Sequence, residues 1–362
     1  MLKALTDVVD STRYILGPQV AELEQQVADY CGARYGIGVA SGTDALLVSL
    51  MALDLKPGDL VLTTPYSFFA TAGVVSRLGA RPLFADIERD TYNLDPASAR
   101  KVLESLSPDE RRRLKAILPV HLYGQSVDLT ALVDLAREFD AALIEDGAQA
   151  IGARYESSDR TVRVGSVGLA GCFSFFPSKN LGGIGDGGMV VTSDETFAEQ
   201  VRILRVHGAR PQYYHSFVGG NFRLDTLQAA ALLVKLPHLE TWHAGRQARA
   251  AYYDEGFAGV ADVIRPAVAQ RQEYHIYNQY VISVSRRDDL QVHLKNCGIA
   301  TAIYYPVPFH LQPCFQYLGY GEGDFPVSEW AARTTLALPI YPELTTDQQD
   351  YIIDAVRQFY GH

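Results

Sequence analysis

Apolar residues recur at helical spacing in PQVAELEQQVADYCG (18–32), and Gly32 follows the last of them as a C-cap. The run YGIGVA (35–40) reads as a buried strand, and SGTDALLVSLMAL (41–53) opens a helix directly after it. DLVLTTP (59–65), RPLFADI (81–87), LKAILPV (114–120) and AALIEDG (141–147) are four more short apolar runs. Helical stretches such as FATAGVVSRLG (69–79) and LTALVDLAREFD (129–140) lie between them. Strands alternating with helices predict an α/β fold, with a mostly parallel sheet covered on both faces. The segment 168–194 breaks the rhythm, with short strands around a Gly-rich turn, and DETFAEQVRILRVHG (194–208) resumes a helix. Residues 225–257 form one long helical pattern with a break expected at Pro237, linking two domains. Beyond it, EYHIYNQYVISVS (273–285), a helix DDLQVHLKNCG (288–298), a strand TAIYYPVP (301–308) and a closing helix TTDQQDYIIDAVRQFYG (345–361) predict a small α+β domain. The expected division is a large domain over 1–240 and a small one over 241–362.

Length supports that division, because 362 residues exceed what a single hydrophobic core usually serves. Composition is ordinary for a globular chain, with 48% hydrophobic and 20% charged residues. A formal net charge of −10 provides no basic field for a phosphate backbone, which argues against nucleic acid as a partner. No apolar run is long enough to span a bilayer, and the N-terminal stretch carries acidic residues where a secretory peptide would be apolar. Cys31, Cys172, Cys297 and Cys314 are scattered without metal-ligand spacing, so reduced thiols and a cytoplasmic location are expected.

Ligands of such a sheet gather at the carboxyl ends of its strands. Ser41-Gly42-Thr43-Asp44 stands at one such end, where a Gly-bearing turn at a helix N-terminus suits a phosphate. Simple N-capping by Ser41 or Thr43 would look the same. Glu145-Asp146-Gly147-Ala148-Gln149 follows the apolar run AALI, and a carboxylate there needs a cationic partner or several donors. Asp146 could cap a helix or pair with a protonated ring nitrogen. Lys179 sits among aromatics, serines and glycines in SFFPSKNLGGIGDGG (174–188). An apolar pocket would depress its pKa, as Schiff-base chemistry requires, although a surface loop is the commoner setting for a lysine.

Taken in order, YILGPQVAELE, SGTDAL, PYSFFAT, PVHLYGQ, IEDGAQAIGA, SFFPSKNLGGIGDGGMV, VHGA, GGNFRLDTLQAA, YYPVPFHLQP and LALPIYPELT resemble the DegT/StrS-type sugar aminotransferases. These are pyridoxal 5'-phosphate (PLP) enzymes of the aspartate-aminotransferase fold, fold type I. The resemblance implies a seven-stranded, mostly parallel sheet in the large domain. It also implies a Schiff base on Lys179, with Asp146 on the pyridine nitrogen and Gln149 near the phenolic oxygen. Phe68 would stack on the ring, while Gly42, Thr43, Ser174 and Asn221 of a neighbouring subunit would bind the phosphate in a homodimer with shared sites. Read alone, Phe68 suits core, Ser174 a strand hydrogen bond, and Asn221 a left-handed turn.

The same resemblance implies a nucleotide-linked keto sugar as acceptor and glutamate as donor. Arg223 could meet a carboxylate of either, or form an ion pair across an interface. Tyr305 and His310 match segments lining the family's sugar pocket, and Tyr214 lies in a loop that could reach the nucleotide. The segment NFRLDTLQAAALLVKLPHLETW (221–242) is more similar to the branch acting at C3 than at C4. UDP-2-acetamido-3-keto-glucose or its uronic acid is the acceptor this suggests, for lipopolysaccharide or other surface glycans. A dTDP-3-keto-6-deoxyhexose, a C4-keto sugar and a non-catalytic PLP-binding regulator are the alternatives. Related dehydratases carry histidine where Lys179 stands, and a dehydrogenase would need the G-x-G-x-x-G that YGIGVASGTD lacks. Gly147 stands where alanine is common, and Asp186 where glutamate is.

Overall fold

Nine short strands fall in the first two hundred residues: β1 (Tyr35–Val39), β2 (Leu60–Thr63), β3 (Arg81–Phe84), β4 (Leu114–Leu118), β5 (Ala142–Asp146), β6 (Arg154–Glu156), β7 (Thr161–Arg163), β8 (Ala170–Ser174) and β9 (Gly188–Thr192). The computed structural model describes residues 1–157, 160–269, 271 and 274–361. Seven of the strands form one sheet in the order β1-β9-β8-β5-β4-β2-β3, and β6 pairs with β7 in a separate hairpin. Within the sheet only β9 runs against its neighbours. The strands are buried almost throughout, which is why they read as apolar runs instead of alternating ones.

Helices cover both faces. Gly42–Ala52 and Glu195–Leu204 pack on one side around Leu46, Val48, Val190 and Val201. Pro18–Cys31 and Thr226–Lys235 pack on the other around Leu23, Val27, Phe173 and Leu232. Their starts are set locally. Ser41 accepts from the Asp44 amide, Asp194 from Phe197 and Asp128 from Ala131, each satisfying a donor the helix itself cannot. Gly32 closes the first of the sheet-covering helices at φ 80°, the left-handed cap. The pattern at 225–257 breaks at Pro237 into the helix Thr226–Lys235, one 3-10 turn and the helix Leu239–Gly256.

A second sheet holds β10 (Val263–Ile264), β11 (Tyr280–Val284) and β12 (Thr335–Leu338) in that order, all antiparallel. The helices Arg287–Asn296 and Thr346–Tyr360 close its core around Tyr253, Ile282, Leu290 and Val356. Leu239 packs in the first core and Ala250 with Tyr253 in the second. We therefore propose the division into 1–240 and 241–362 at the start of this helix.

One local expectation changes. Residues 301–308 are not a strand; a single bridge joins Ala302 to Ala337, and the chain then turns back onto the large sheet. Tyr66 and Tyr123 donate their hydroxyls to the Tyr304 carbonyl there, removing it from any ladder. Of 273–285 only Tyr280–Val284 is a strand, since Ile276 instead donates to the Gly124 carbonyl; Glu273 lies outside the described residues. The N-terminal Leu2–Ser11 is also a helix. All four cysteines are free. Among the described residues no helix is long and apolar enough to cross a membrane, and no side-chain cluster suits a metal ion.

Two buried imidazoles give the fold a pH dependence. His243 is fully buried, with no partner for either ring nitrogen among the described residues, and burial lowers its pKa to about 4. His275 stacks on Tyr277 at 3.9 Å and accepts from its amide, and burial lowers it to about 3. Above the ordinary value of about 6.5 both are neutral folded or unfolded. As pH falls from there, the unfolded chain takes up protons that the folded chain refuses. Stability therefore drops until the folded values are passed, by on the order of a few kcal/mol. Urea unfolding midpoints at about pH 7.5 and about pH 5 should fall with pH, and less steeply in His243→Leu. Equal midpoints at both pH values would contradict this assignment.

Candidate active site

Asp146 ends β5 and Ser174 ends β8, the adjacent strand, with Asp146 opposite Cys172. Both therefore stand at the carboxyl edge of the sheet. The main chain of Asp146 is held on both sides, its N–H donating to Pro119 and its carbonyl accepting from His121. Its side chain is buried. Thr71 donates to Oδ2 at 2.9 Å and the Ala148 amide to Oδ1 at 3.1 Å. Burial pushes the Asp146 pKa up, against the pull of the Ala148 amide, the Thr71 hydroxyl and the Lys179 ammonium. Each oxygen has spare acceptor capacity.

Lys179 is half-buried in a turn, its amide donating to the Phe176 carbonyl, and among the described residues its Nζ has no hydrogen-bond partner. Burial lowers its pKa and the Asp146 carboxylate only partly restores it. The result is an amine more readily deprotonated than an ordinary lysine, near an anion. The glycine-rich turn that follows is held from the helix Thr226–Lys235, where Gln228 accepts from the Ile184 amide at 2.9 Å.

Gln149 lies beyond the Asp146 turn. Its carbonyl accepts from the Tyr123 amide at 2.8 Å and its NH2 donates to the Tyr305 hydroxyl at 3.1 Å. Burial and Asp146 both keep the Tyr305 phenol protonated by raising its pKa. Phe68 is 58% exposed, with its ring 6.3 Å from that of Tyr305. Asp146, Lys179, Gln149, Phe68 and Tyr305 thus form one cluster.

Gly42 and Ser174 meet beside it. A Cβ on Gly42 would lie 2.6 Å from Ser174 Cβ, so only glycine allows the approach. The amides of Gly42 and Thr43 begin the helix without an acceptor among the described residues, next to the Ser174 hydroxyl. That set of donors suits an anion. Glycine at 147 has a similar cause, because a Cβ there would lie 2.7 Å from the ring of the buried Phe173.

Arg223 bridges to Val39 at the end of β1, and its buried Nε has no hydrogen bond among the described residues. Asn221 is exposed on the same segment, and Tyr214, 71% exposed, sits in a turn closed by hydrogen bonds with Arg210 and Pro211. Among the described residues no hydrogen bond or ring contact joins either to the cluster within one chain. His310 does not line the cleft. It is buried, with Nε2 bonded to Glu329 at 3.1 Å and its ring against Phe325, so it packs the interior instead of meeting a sugar.

A buried carboxylate near a lysine of lowered pKa, at the carboxyl edge of a seven-stranded α/β sheet, is the arrangement of a fold-type I, PLP-dependent aminotransferase. The chain belongs to the DegT/DnrJ/EryC1/StrS aminotransferase family, whose profile matches residues 1–357. It is 45% identical over its whole length to 95% of the "Pleiotropic regulatory protein" of Geobacillus stearothermophilus. It is 42% identical, over 92% of this chain and 89% of the relative, to the UDP-2-acetamido-2-deoxy-3-oxo-D-glucuronate aminotransferase of Pseudomonas aeruginosa. Identity is 41%, over 98% and 91%, to the dTDP-3-amino-3,4,6-trideoxy-alpha-D-glucose transaminase of Streptomyces venezuelae. Among solved structures, S. venezuelae DesV in complex with a ketimine intermediate superposes with a TM-score of 0.93 at 40% identity, covering 99% of this chain and 94% of that one. NtdA from Bacillus subtilis with bound cofactor PMP superposes at 0.88, with 29% identity over 100% and 81%.

The residues present fit PLP. An amine without a partner, a carboxylate with spare acceptor capacity, an exposed aromatic face and a glycine-lined set of free amides answer its aldehyde, ring nitrogen, ring and phosphate. Thr71, which reaches Asp146, and Ser67, which reaches Thr71, are site residues that the sequence alone does not mark. The available signal was two hydroxyls four residues apart at a helix start after a strand end.

Proposed function

We propose that this sugar aminotransferase moves the amino group of glutamate onto the C3 keto group of a UDP-linked 2-acetamido sugar, 3-keto-glucose or its uronic acid. The bound cofactor supplies an electron sink and carries the amino group between the two substrates. Lys179 would hold it through Nζ and, once freed, move a proton at the same atom, a task for which its lowered pKa suits it. Asp146 would keep the ring nitrogen protonated, Gln149 would orient the phenolic edge, and Phe68 would cover one face. Gly42, Thr43 and Ser174 would bind the phosphate.

The observation that carries the substrate reading is Arg223, whose buried Nε is unbonded beside the phosphate-suited turn. A guanidinium in that state favours a carboxylate, on the donor or on a uronic acid. Tyr305 would line the sugar site from the opposite side. Exposed apolar side chains on the loop before Asn221, Tyr213 at 82% and Val218 at 91%, support a homodimer in which Asn221 completes a neighbour's phosphate site and Tyr214 reaches its nucleotide. Cytoplasmic synthesis of precursors for lipopolysaccharide or another surface glycan would follow.

A dTDP-linked 3-keto sugar is the second reading, favoured by the similarity to the S. venezuelae transaminase. Keto sugars of both nucleotide classes, generated in situ by coupled dehydrogenases, should be offered with glutamate. Mass spectrometry should find the aminated UDP-3-keto sugar and 2-oxoglutarate. Amination of only dTDP or C4-keto sugars would overturn the proposal, and no turnover with any acceptor would favour a PLP-binding regulator.

A further inference from the structure

The carboxylate of Asp146 is oriented by a chain of two buried hydroxyls. Thr71 Oγ1 lies 2.9 Å from Asp146 Oδ2, and Ser67 Oγ lies 3.1 Å from Thr71 Oγ1. Both side chains are buried, Thr71 at 1% and Ser67 at 4% exposure. An ionised carboxylate only accepts, so the Thr71 proton must point at Asp146. Thr71 Oγ1 must then accept from Ser67, and the order of protons along Ser67–Thr71–Asp146 is settled. Hydrogen bonds arranged in such a series polarise one another, which strengthens the last bond, to the anion.

The chain forms because of where the turn runs. Residues 64–69 leave β2 at its carboxyl end, and the Thr71 amide donates to the Phe68 carbonyl as the helix Ala70–Arg77 begins. Ser67 lies in the bend just before this helix, and the turn brings its hydroxyl to 3.1 Å from that of Thr71. Phe68, between them, is turned outward and exposed. One stretch of five residues thus presents an aromatic face to the cleft and a donor to the buried carboxylate behind it.

We infer that Thr71, backed by Ser67, is a positioning residue that keeps Asp146 ionised and aimed at the cofactor's ring nitrogen. The inference rests on the assignment of Asp146 to that nitrogen. Burial raises the pKa of Asp146, and the Thr71 hydroxyl is among the groups that oppose the rise. Without it the carboxyl would be more readily protonated and free to rotate about its remaining bond to the Ala148 amide.

Thr71→Val removes the hydroxyl at nearly constant volume, and Thr71→Ser keeps it. Each variant, with Asp146→Asn alongside, would be stripped of cofactor and titrated with PLP. Ring-15N-labelled PLP would report protonation of the nitrogen by its chemical shift. Thr71→Val should weaken PLP binding and lower kcat, each by about ten- to hundredfold, the span of a hydrogen bond to a charged group. Its KM for glutamate should change little, and the 15N shift should move toward the unprotonated value. Thr71→Ser should restore all three, and Ser67→Ala should lose a smaller part. Wild-type affinity and 15N shift in a folded Thr71→Val would overturn the role of Thr71 while leaving Asp146 in place. If Thr71→Val does not fold, a Ser67→Ala protein with an unmoved 15N shift would overturn the chain. Wild-type affinity and 15N shift in Asp146→Asn would overturn the assignment of Asp146 itself, and this inference with it.

Discussion

Lys179→Ala should lower transamination by about ten-thousandfold or more, because on the proposed role of Lys179 it would remove both an attachment point and a proton carrier, and proton transfer alone commonly accounts for up to about that factor. Nothing else at the cluster can replace the amine. Asp146 is an anion held by two donors, burial and Asp146 keep Tyr305 protonated, and the amide of Gln149 is committed on both sides. Lys179→Arg should fail as completely, since a guanidinium retains the charge but neither loses its proton nor attacks a carbonyl at neutral pH. That comparison separates an amine acting as nucleophile and base from a cation acting only through its field. Single-turnover kinetics with glutamate and the absorbance of the bound cofactor would provide the check. Appreciable turnover by either variant would remove Lys179 from the chemistry.

Much of the architecture was legible because burial wrote it into the strands. Five of the strands read from apolar runs lie in the seven-stranded sheet, since a strand covered on both faces needs apolar side chains along its whole length. Residues 301–308 misled for a related reason. Two tyrosines and an isoleucine suggest a strand, but the Tyr304 carbonyl and the Tyr305 amide bond to the hydroxyls of Tyr66 and Tyr123 from a distant part of the chain, which no local pattern reports. His310 matched a pocket-lining segment, yet its side chain turns inward to Glu329; the segment matched while the direction of one side chain did not. Thr71 is the converse. Its hydroxyl carries no local signal, because its partner Asp146 lies 75 residues on in the chain. Gly147 looked like a departure, and the ring of Phe173 explains it.

Glu145 shows how closely the neighbourhood of Asp146 is built. It is fully buried, accepting from the amides of Gly165, Val167 and Gly168 and from His121 Nε2. Burial alone would raise its pKa, but these donors hold it below the usual carboxylate value. His121 Nδ1 accepts from the Val127 amide, so the ring proton sits on Nε2. Glu145 has its charge met in full by protein donors, whereas Asp146 beside it does not, and its pKa moves the opposite way. Two adjacent carboxylates are thereby separated into a structural anion and one left for a ligand.

Asp146→Asn should accordingly have opposite effects on catalysis and on stability. The asparagine keeps the volume and can still accept from Thr71, but a neutral amide gives a ring N–H no charged partner. Loss of one partner from a buried charge pair costs about two hundred- to several thousandfold, and kcat should fall by that factor. Cofactor-free protein should respond the other way. Its Asp146 is a buried carboxylate whose raised pKa means that folding disfavours the charge, so at neutral pH neutralising it should raise the melting temperature. PLP should then stabilise the variant less than it stabilises the wild type, because the linkage scales with affinity. Calorimetry of both proteins, with and without PLP, would measure the two effects together. A cofactor-free variant that melts below wild type would mean that Asp146 holds the fold together instead of storing an unmet charge for the ring nitrogen.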